Sequence, residues 1–109
     1  LKKMWVSVDL SVIPMGVGIS ISPYIALCQK IIEKTGLDYE MGPHGTSLEG
    51  DWEEVFACVK ACHEAVHQKG VIRIYTSLKV NTRIDRNYSF REKVPSVESA
   101  LLSEIGDLY

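Results

Sequence analysis

Four side chains with metal-binding chemistry stand close together at Cys58, Cys62, His63 and His67. Cys58 and Cys62 are four residues apart, as are His63 and His67, so on a helix each pair shares a face. Thiolate and imidazole at that spacing could hold a zinc ion, but a closed site needs four ligands, and no second pair waits elsewhere at a suitable distance. Cys58 and Cys62 also fall on the apolar stripe of the helix, where a free cysteine behaves as a small buried hydrophobe. The pattern therefore predicts no metal, with the two histidines at the helix edge. Cys28 lies in the middle of another helical stretch on its core side. A nucleophilic cysteine needs a thiolate raised by a neighbouring base; the surroundings of Cys28 predict an inert thiol instead.

The remaining chemistry is charge. Residues 69–93 hold seven lysines and arginines against two acids, a local excess that an RNA-binding surface would use together with stacked aromatics. Across all 109 residues, however, 12 basic side chains face 14 acidic ones for a formal charge of −2. That balance argues against a generally basic nucleic-acid binder. At 46% hydrophobic and 24% charged, the chain reads as one ordinary folded domain, expected over residues 4–105. Three cysteines, an odd number, rule out a dense disulfide framework and predict a reducing, cytoplasmic setting. The basic start Leu1-Lys2-Lys3 before an apolar stretch has the outline of a secretory signal. Asp9 interrupts that stretch and no small-x-small cleavage site follows, so no such signal is read. No run of about 18 apolar residues predicts a membrane span.

The elements follow from periodicity. Alternation from Met4 to Ile13 places Val6, Val8, Leu10 and Val12 on one side of a strand, which Pro14 and Gly16 are expected to end. Ser22 and Pro23 read as N-cap and first turn of a helix, with Ile25, Leu27, Cys28, Ile31 and Ile32 as its stripe and Gly36 as its stop. Segments 37–42 and 46–49, joined by Gly42-Pro43-His44-Gly45, form a hairpin. A second helix begins at Asp51, with Asp51 and Glu54 at capping-box spacing, and runs to Lys69-Gly70. Residues 71–84 read as a long strand, residues 85–89 as a polar loop, and residues 96–104 as a weak helix behind Pro95. Strand, helix, strand, strand, helix, strand is the split βαβ plan. It predicts an α+β, ferredoxin-like sandwich with a four-stranded antiparallel sheet and both helices on one face.

That arrangement leaves a second sheet face carrying Trp5, Ser7, Asp9, Ser11, Ser47, Glu49, Arg73, Tyr75, Ser77 and Lys79. A last strand of 14 residues, roughly 46 Å at about 3.3 Å each, exceeds what its neighbours can pair, and an unpaired edge invites a second subunit. A homo-oligomer is expected. The same topology serves acylphosphatases, which require an arginine in the loop after the first strand; residues 14–21 contain none. It also serves RNA-recognition modules, but the third strand, Thr46-Ser47-Leu48-Glu49, brings no aromatic, so nucleic acid is not expected as a partner.

Several segments together resemble a known family. These are Ser11-Val12-Ile13-Pro14-Met15-Gly16; Ser20-Ile21-Ser22 with Tyr24-Ile25-Ala26; Gly45-Thr46-Ser47-Leu48-Glu49-Gly50-Asp51-Trp52; His63-Glu64-Ala65; and Thr82-Arg83-Ile84-Asp85-Arg86. In this order they resemble the thiamine-binding protein family, and Lys69–Thr76 looks like its short fungal members. His44 and Pro95 depart from the family pattern. The resemblance covers Met4 to about Ala100. It implies a cytoplasmic homotetramer, a dimer of dimers, that binds thiamine or its hydroxymethylpyrimidine portion without catalysis and without a cofactor. Such a ligand needs an acceptor or acid for its exocyclic amine, hydroxyl or backbone groups for its ring nitrogens, and an apolar or aromatic wall. Read this way, Ser20, Ser22, Gly45, Thr46 and Ser47 supply the polar groups and Glu49 the charge partner. Each also has an ordinary structural role: Ser22 as a cap, Gly45 in a turn, Thr46 in a strand. The competing reading is an interaction or structural oligomer with another ligand or none.

Overall fold

The computed structural model describes residues 3–108, with side chains through Ser103; Leu1 and Lys2 of the basic start lie outside the described residues. The chain order is β1 (Trp5–Met15), α1 (Ser22–Thr35), β2 (Asp38–Met41), β3 (Thr46–Asp51), α2 (Trp52–Gln68) and β4 (Arg73–Thr82). A 3-10 turn (Phe90–Glu92) and α3 (Lys93–Leu108) follow. The strands form one antiparallel sheet in the order β2-β3-β1-β4, the ferredoxin-like arrangement that the periodicity predicts.

Alternation fixes the two faces. Val6, Val8 and Leu10 of β1 and Leu48 of β3 are buried with Cys28 and Ile32 of α1 and Val55, Cys58, Cys62 and Val66 of α2. The three thiols therefore lie inside the core between the helices. The Cys62 thiol points toward the Cys28 carbonyl at 3.9 Å, and its sulfur neighbours Cys28 and Cys58, together with burial, push its pKa up and keep it protonated. His63 and His67 turn away from the thiols: His63 Nε2 lies 2.6 Å from Thr76 Oγ1 and His67 Nδ1 2.7 Å from the Val71 carbonyl. Both imidazoles thus tie α2 to β4 and to the segment entering it. Among the described residues no group of three or more His, Cys, Asp or Glu side chains is placed to hold a metal ion.

Several boundaries differ from the sequence expectation for physical reasons. β1 does not end at Pro14. It continues to Met15, paired with β4 in ten registered positions from Val6↔Thr82 to Met15↔Arg73, whereas β3 pairs with it only from Trp5↔Asp51 to Leu10↔Thr46. Beyond Leu10 one side of β1 is unpaired, and a proline, which lacks a ladder donor, is tolerated there. β4 is correspondingly shorter than expected, and its whole length is matched by β1. The argument for a subunit partner from excess strand length therefore fails, although the outer edge of β4 pairs with no described strand.

The expected caps differ too. α1 starts at Ser22 itself, with Ile21 as N-cap and no side-chain cap bond. Proline in the first turn removes one donor that would need capping, and the Ile21 carbonyl accepts from the Tyr24 and Ile25 N–H groups. At α2, Asp51 occupies the N-cap position but its carboxylate makes no cap bond. Asp51 is still held in β3 opposite Trp5, and the Trp52 N–H donates to the Met4 carbonyl at 2.8 Å. The helix stop at Gly36 is as expected, with φ of 75° in the left-handed region that glycine adopts freely.

Ile32 is almost wholly buried at the centre of the core. Ile32→Ala should cost about 2–5 kcal/mol of stability, read as a lower urea midpoint with an unchanged denaturant slope.

Candidate functional site

The unequal ladders leave a step. Where β3 stops at Thr46, β1 runs on, and α1 overhangs the gap. A cavity of about 300 Å³ lies there, walled by Leu10–Ile13 of β1, by Ile21, Ile25, Cys28, Gln29 and Ile32 of and beside α1, and by the hairpin Met41–Thr46. Its size is at the lower end of small-molecule pockets, and its walls are largely apolar with few polar groups, as such sites require. Those polar groups are concentrated in one pair: Gln29 Nε2 donates to Thr46 Oγ1 at 2.7 Å. Thr46 is buried. In this bond its oxygen accepts, which leaves its own O–H free to donate, and the Gln29 amide keeps its oxygen and its second N–H. The pair thus offers donors and an acceptor on one wall. The hairpin carbonyls and the exposed His44 add polar groups at the rim.

Gly45 stands where the hairpin comes close to β1. A Cβ there would stand 2.7 Å from Asp9 Oδ1 and 3.2 Å from the Leu10 carbonyl, and the Gly42 N–H donates to the Gly45 carbonyl at 2.8 Å to close the turn. A side chain at this position would have to displace the Asp9 carboxylate and ease the turn slightly away from the Leu10 carbonyl.

The structure divides the residues picked out by sequence. Gly45 and Thr46 line the cavity. Ser20 and Ser22 are exposed and flank Ile21, the residue of that loop that does line it. Ser47 and Glu49 project to the opposite sheet face. Glu49 is buried there under the segment after β4: Ser89 Oγ donates to Glu49 Oε1 at 2.5 Å and the Phe90 N–H to Oε2 at 3.0 Å. Glu49 also borders a second hollow, of about 410 Å³, whose walls carry Asp38, Asp51 and Glu54 besides Trp5. Gln29 was missed by the sequence reading. Its signal was available, as the one polar member of the stripe Ile25, Cys28, Gln29, Ile32.

The segment over Glu49 is a strap with its own fastenings. Ser89 and Glu92 form a capping box, the Ser89 hydroxyl accepting from the Arg91 N–H and the Glu92 carboxylate accepting from the Ser89 N–H. The Arg91 guanidinium grips Asp38 of β2 through two bonds of 3.0 and 2.9 Å and donates to the Tyr39 carbonyl. Three of the seven basic side chains of residues 69–93, Arg83, Arg86 and Arg91, are thus paired within the chain. Arg83 pairs with Asp85, Arg86 with Glu92, and both guanidinium groups lie against the Tyr88 ring.

The profile of the family described as thiamine-binding protein matches residues 8–98. The chain belongs to the thiamine-binding protein family. A UPF0045 protein of the cyanobacterium Synechocystis is 54% identical over 100 residues, covering 92% of this chain and 83% of that one. The fungal UPF0045 protein ECM15 of Eremothecium gossypii is 33% identical, covering 93% and 97%, so the likeness to that fungal relative is real but weaker than to the cyanobacterial one. A hypothetical protein from Methanocaldococcus jannaschii, of known crystal structure, superposes with a TM-score of 0.80 at 32% identity, covering 87% of this chain and 97% of its own. A Thermotoga maritima structure whose name suggests a thiamine biosynthesis or salvage role superposes with a TM-score of 0.73 at 26% identity, covering 85% and 98%.

In this family member the strap has an electrostatic signature. Burial pushes the Glu49 carboxyl above its ordinary value near 4.5, against the opposing pull of the Ser89 and Phe90 donors, with Asp38 adding to the rise. A carboxyl whose folded-state pKa is raised stabilises the fold fully below its unfolded pKa and loses that contribution as pH rises through the folded one. Glu49→Gln can still accept from the Phe90 N–H but does not titrate. Urea unfolding from pH 4 to 7.5 should therefore show the parent losing stability relative to Glu49→Gln as pH rises. A difference that stays flat, or runs the other way, would separate Glu49 from this effect.

Proposed function

We propose that the protein binds thiamine, or a metabolite sharing its hydroxymethylpyrimidine ring, in the cavity between β1, α1 and the β2–β3 hairpin. The reading includes a cytoplasmic homotetramer, built as a dimer of dimers, that holds its ligand without catalysing a reaction. The observation that carries it is the Gln29–Thr46 pair, two complementary hydrogen-bonding groups set in an otherwise apolar cavity, in a chain of the thiamine-binding protein family. The name of the Thermotoga structure, which points to thiamine biosynthesis or salvage, supports the same ligand class.

The chemistry of the walls orients the ligand. A neutral aminopyrimidine has ring nitrogens that accept and an amine that donates, which suits the Thr46 hydroxyl and the Gln29 amide between Ile25, Ile32 and Val12. No carboxylate lines this cavity among the described residues. A thiazolium cation is costly to bury without a counter-charge and would sit toward the hairpin rim, beside solvent. Glu49 and Ser47, on the other sheet face, act in this reading through the fold, and Glu49 does so by holding the strap.

Calorimetric titration tests the proposal. Thiamine and the free hydroxymethylpyrimidine should both bind, and Thr46→Val or Gln29→Leu should weaken each by about tenfold, the 1.4 kcal/mol expected of one lost hydrogen bond. Glu49→Gln should bind as the parent does. A selective loss in Glu49→Gln would move the ligand to the second hollow. The absence of heat and of any thermal shift at millimolar ligand would overturn the vitamin reading in favour of an interaction oligomer.

A further inference from the structure

The Gln29–Thr46 pair can be set in two ways. Thr46 is held by ladders on both sides, opposite Leu10 of β1 and Met41 of β2. Gln29 stands within α1, next to the buried Cys28. Both side chains are thus rooted in fixed backbone, and among the described residues each has the other as its one side-chain hydrogen-bond partner. What stays free is the direction of the bond. In the setting described above the Gln29 amide donates to Thr46 Oγ1 at 2.7 Å. The last torsion of a glutamine is broad and roughly two-fold. A half-turn about it brings the amide oxygen to the hydroxyl, and the Thr46 O–H then donates.

The walls do not select between these settings. Among the described residues no lysine, arginine, aspartate or glutamate lines the cavity, so no fixed charge there orients the amide dipole, and the bond within the pair survives the reversal. The edge turned toward a guest, however, changes. In the first setting the amide oxygen accepts beside a Thr46 O–H that donates. In the second the amide N–H donates beside a Thr46 lone pair that accepts. An aminopyrimidine edge, an amine next to an accepting ring nitrogen, fits the first. A pyrimidinone edge, a carbonyl next to a ring N–H, fits the second with the same atoms in the same places.

We propose that Gln29 and Thr46 form a reversible reader that takes both amino- and oxo-pyrimidines, so that guests are selected by ring shape and by the arm at the rim. This inference rests on the reading of the cavity as a pyrimidine site and widens its ligand class. A pocket that rejects one edge does so by leaving a buried group unpaired against it. That requires an amide tied in one direction by a second bond, and Gln29 has none among the described residues.

Calorimetric titration with thiamine and two relatives tests the reader. One is the oxo analogue, with a carbonyl in place of the ring amine; the other carries a methyl group there and neither donates nor accepts at that position. The thiazolium arm, kept at the rim by its charge, stops the ring from turning over to reverse its own edge. Thiamine and the oxo analogue should bind within about threefold of each other, and the methyl analogue about tenfold more weakly than both, as one lost hydrogen bond predicts. The bound oxo analogue should keep its carbonyl infrared band, the mark of the form that the reversed amide meets. Gln29→Glu, whose carboxylate only accepts, should disfavour the oxo analogue against thiamine by about tenfold. The ligand series and the infrared band decide the matter even if that variant unfolds. An oxo analogue that binds as weakly as the methyl one, while thiamine binds well, would overturn the reader and leave the thiamine reading standing. Loss of the carbonyl band on binding would also overturn it, because the ligand and not the protein would then have changed its edge. So would a folded Gln29→Glu protein that ranks the ligands as the parent does. Absence of binding by all three would remove the pyrimidine reading and the reader with it.

Discussion

The organisation of this protein depends on one inequality, that β1 is paired over ten residues on its β4 side and over six on its β3 side. If the two ladders matched, the hairpin would extend alongside Leu10–Ile13 and side chains would fill the space under α1. Because β3 stops at Thr46, the backbone of the hairpin turns away, and the core opens onto a cavity instead of closing. The site is therefore a property of strand length. Gly45 maintains it by letting the turn fold against Asp9 and Leu10 without a side chain in between.

The two sheet faces answer different demands. Toward the helices, β1 and β3 present branched apolar groups, with Thr46 the polar exception at the cavity, and the thiols of α1 and α2 pack among the apolar groups as inert filler. Toward the other side, a buried carboxylate would be costly unless donors met it. The Ser89 hydroxyl and the Phe90 N–H meet it, and the Arg91–Asp38 pair holds those donors in place. That pair is exposed, so its own energetic contribution is small. Its role is to fix geometry, and the same fixation sets where α3 begins.

Much of this was legible in the residues. Period-two and period-3.6 patterns are strong where one face is buried, and they placed both core helices, all four strands and the hairpin. Gly36 and Gly70 marked helix ends because no other residue adopts positive φ so readily. Errors arose where tertiary contacts replaced local signals. Pro14 looked like a strand end because sequence does not reveal that one side of β1 is unpaired there. Ser22 and Asp51 looked like caps because the backbone partners Ile21 and Met4 cannot be seen in a linear chain. The Ser89-x-x-Glu92 box was a readable signal that the loop assignment passed over. Gly45 and Thr46 were identified and lie on the cavity, while Gln29 was overlooked because polar residues in helices are usually solvated. Alternation alone puts Glu49 on the other face of β3 from the cavity. The motif suggested a ligand contact, but only the fold shows what the carboxylate touches.

The hairpin tip has a further implication. Pro43 and His44 form part of the cavity rim, yet both are exposed and neither belongs to the packed interior. The mouth of the cavity can therefore be reshaped without disturbing folding, because these two rim residues are not those that hold the scaffold upright. Substitutions at Pro43 and His44 would alter the opening alone while the architecture beneath stays the same.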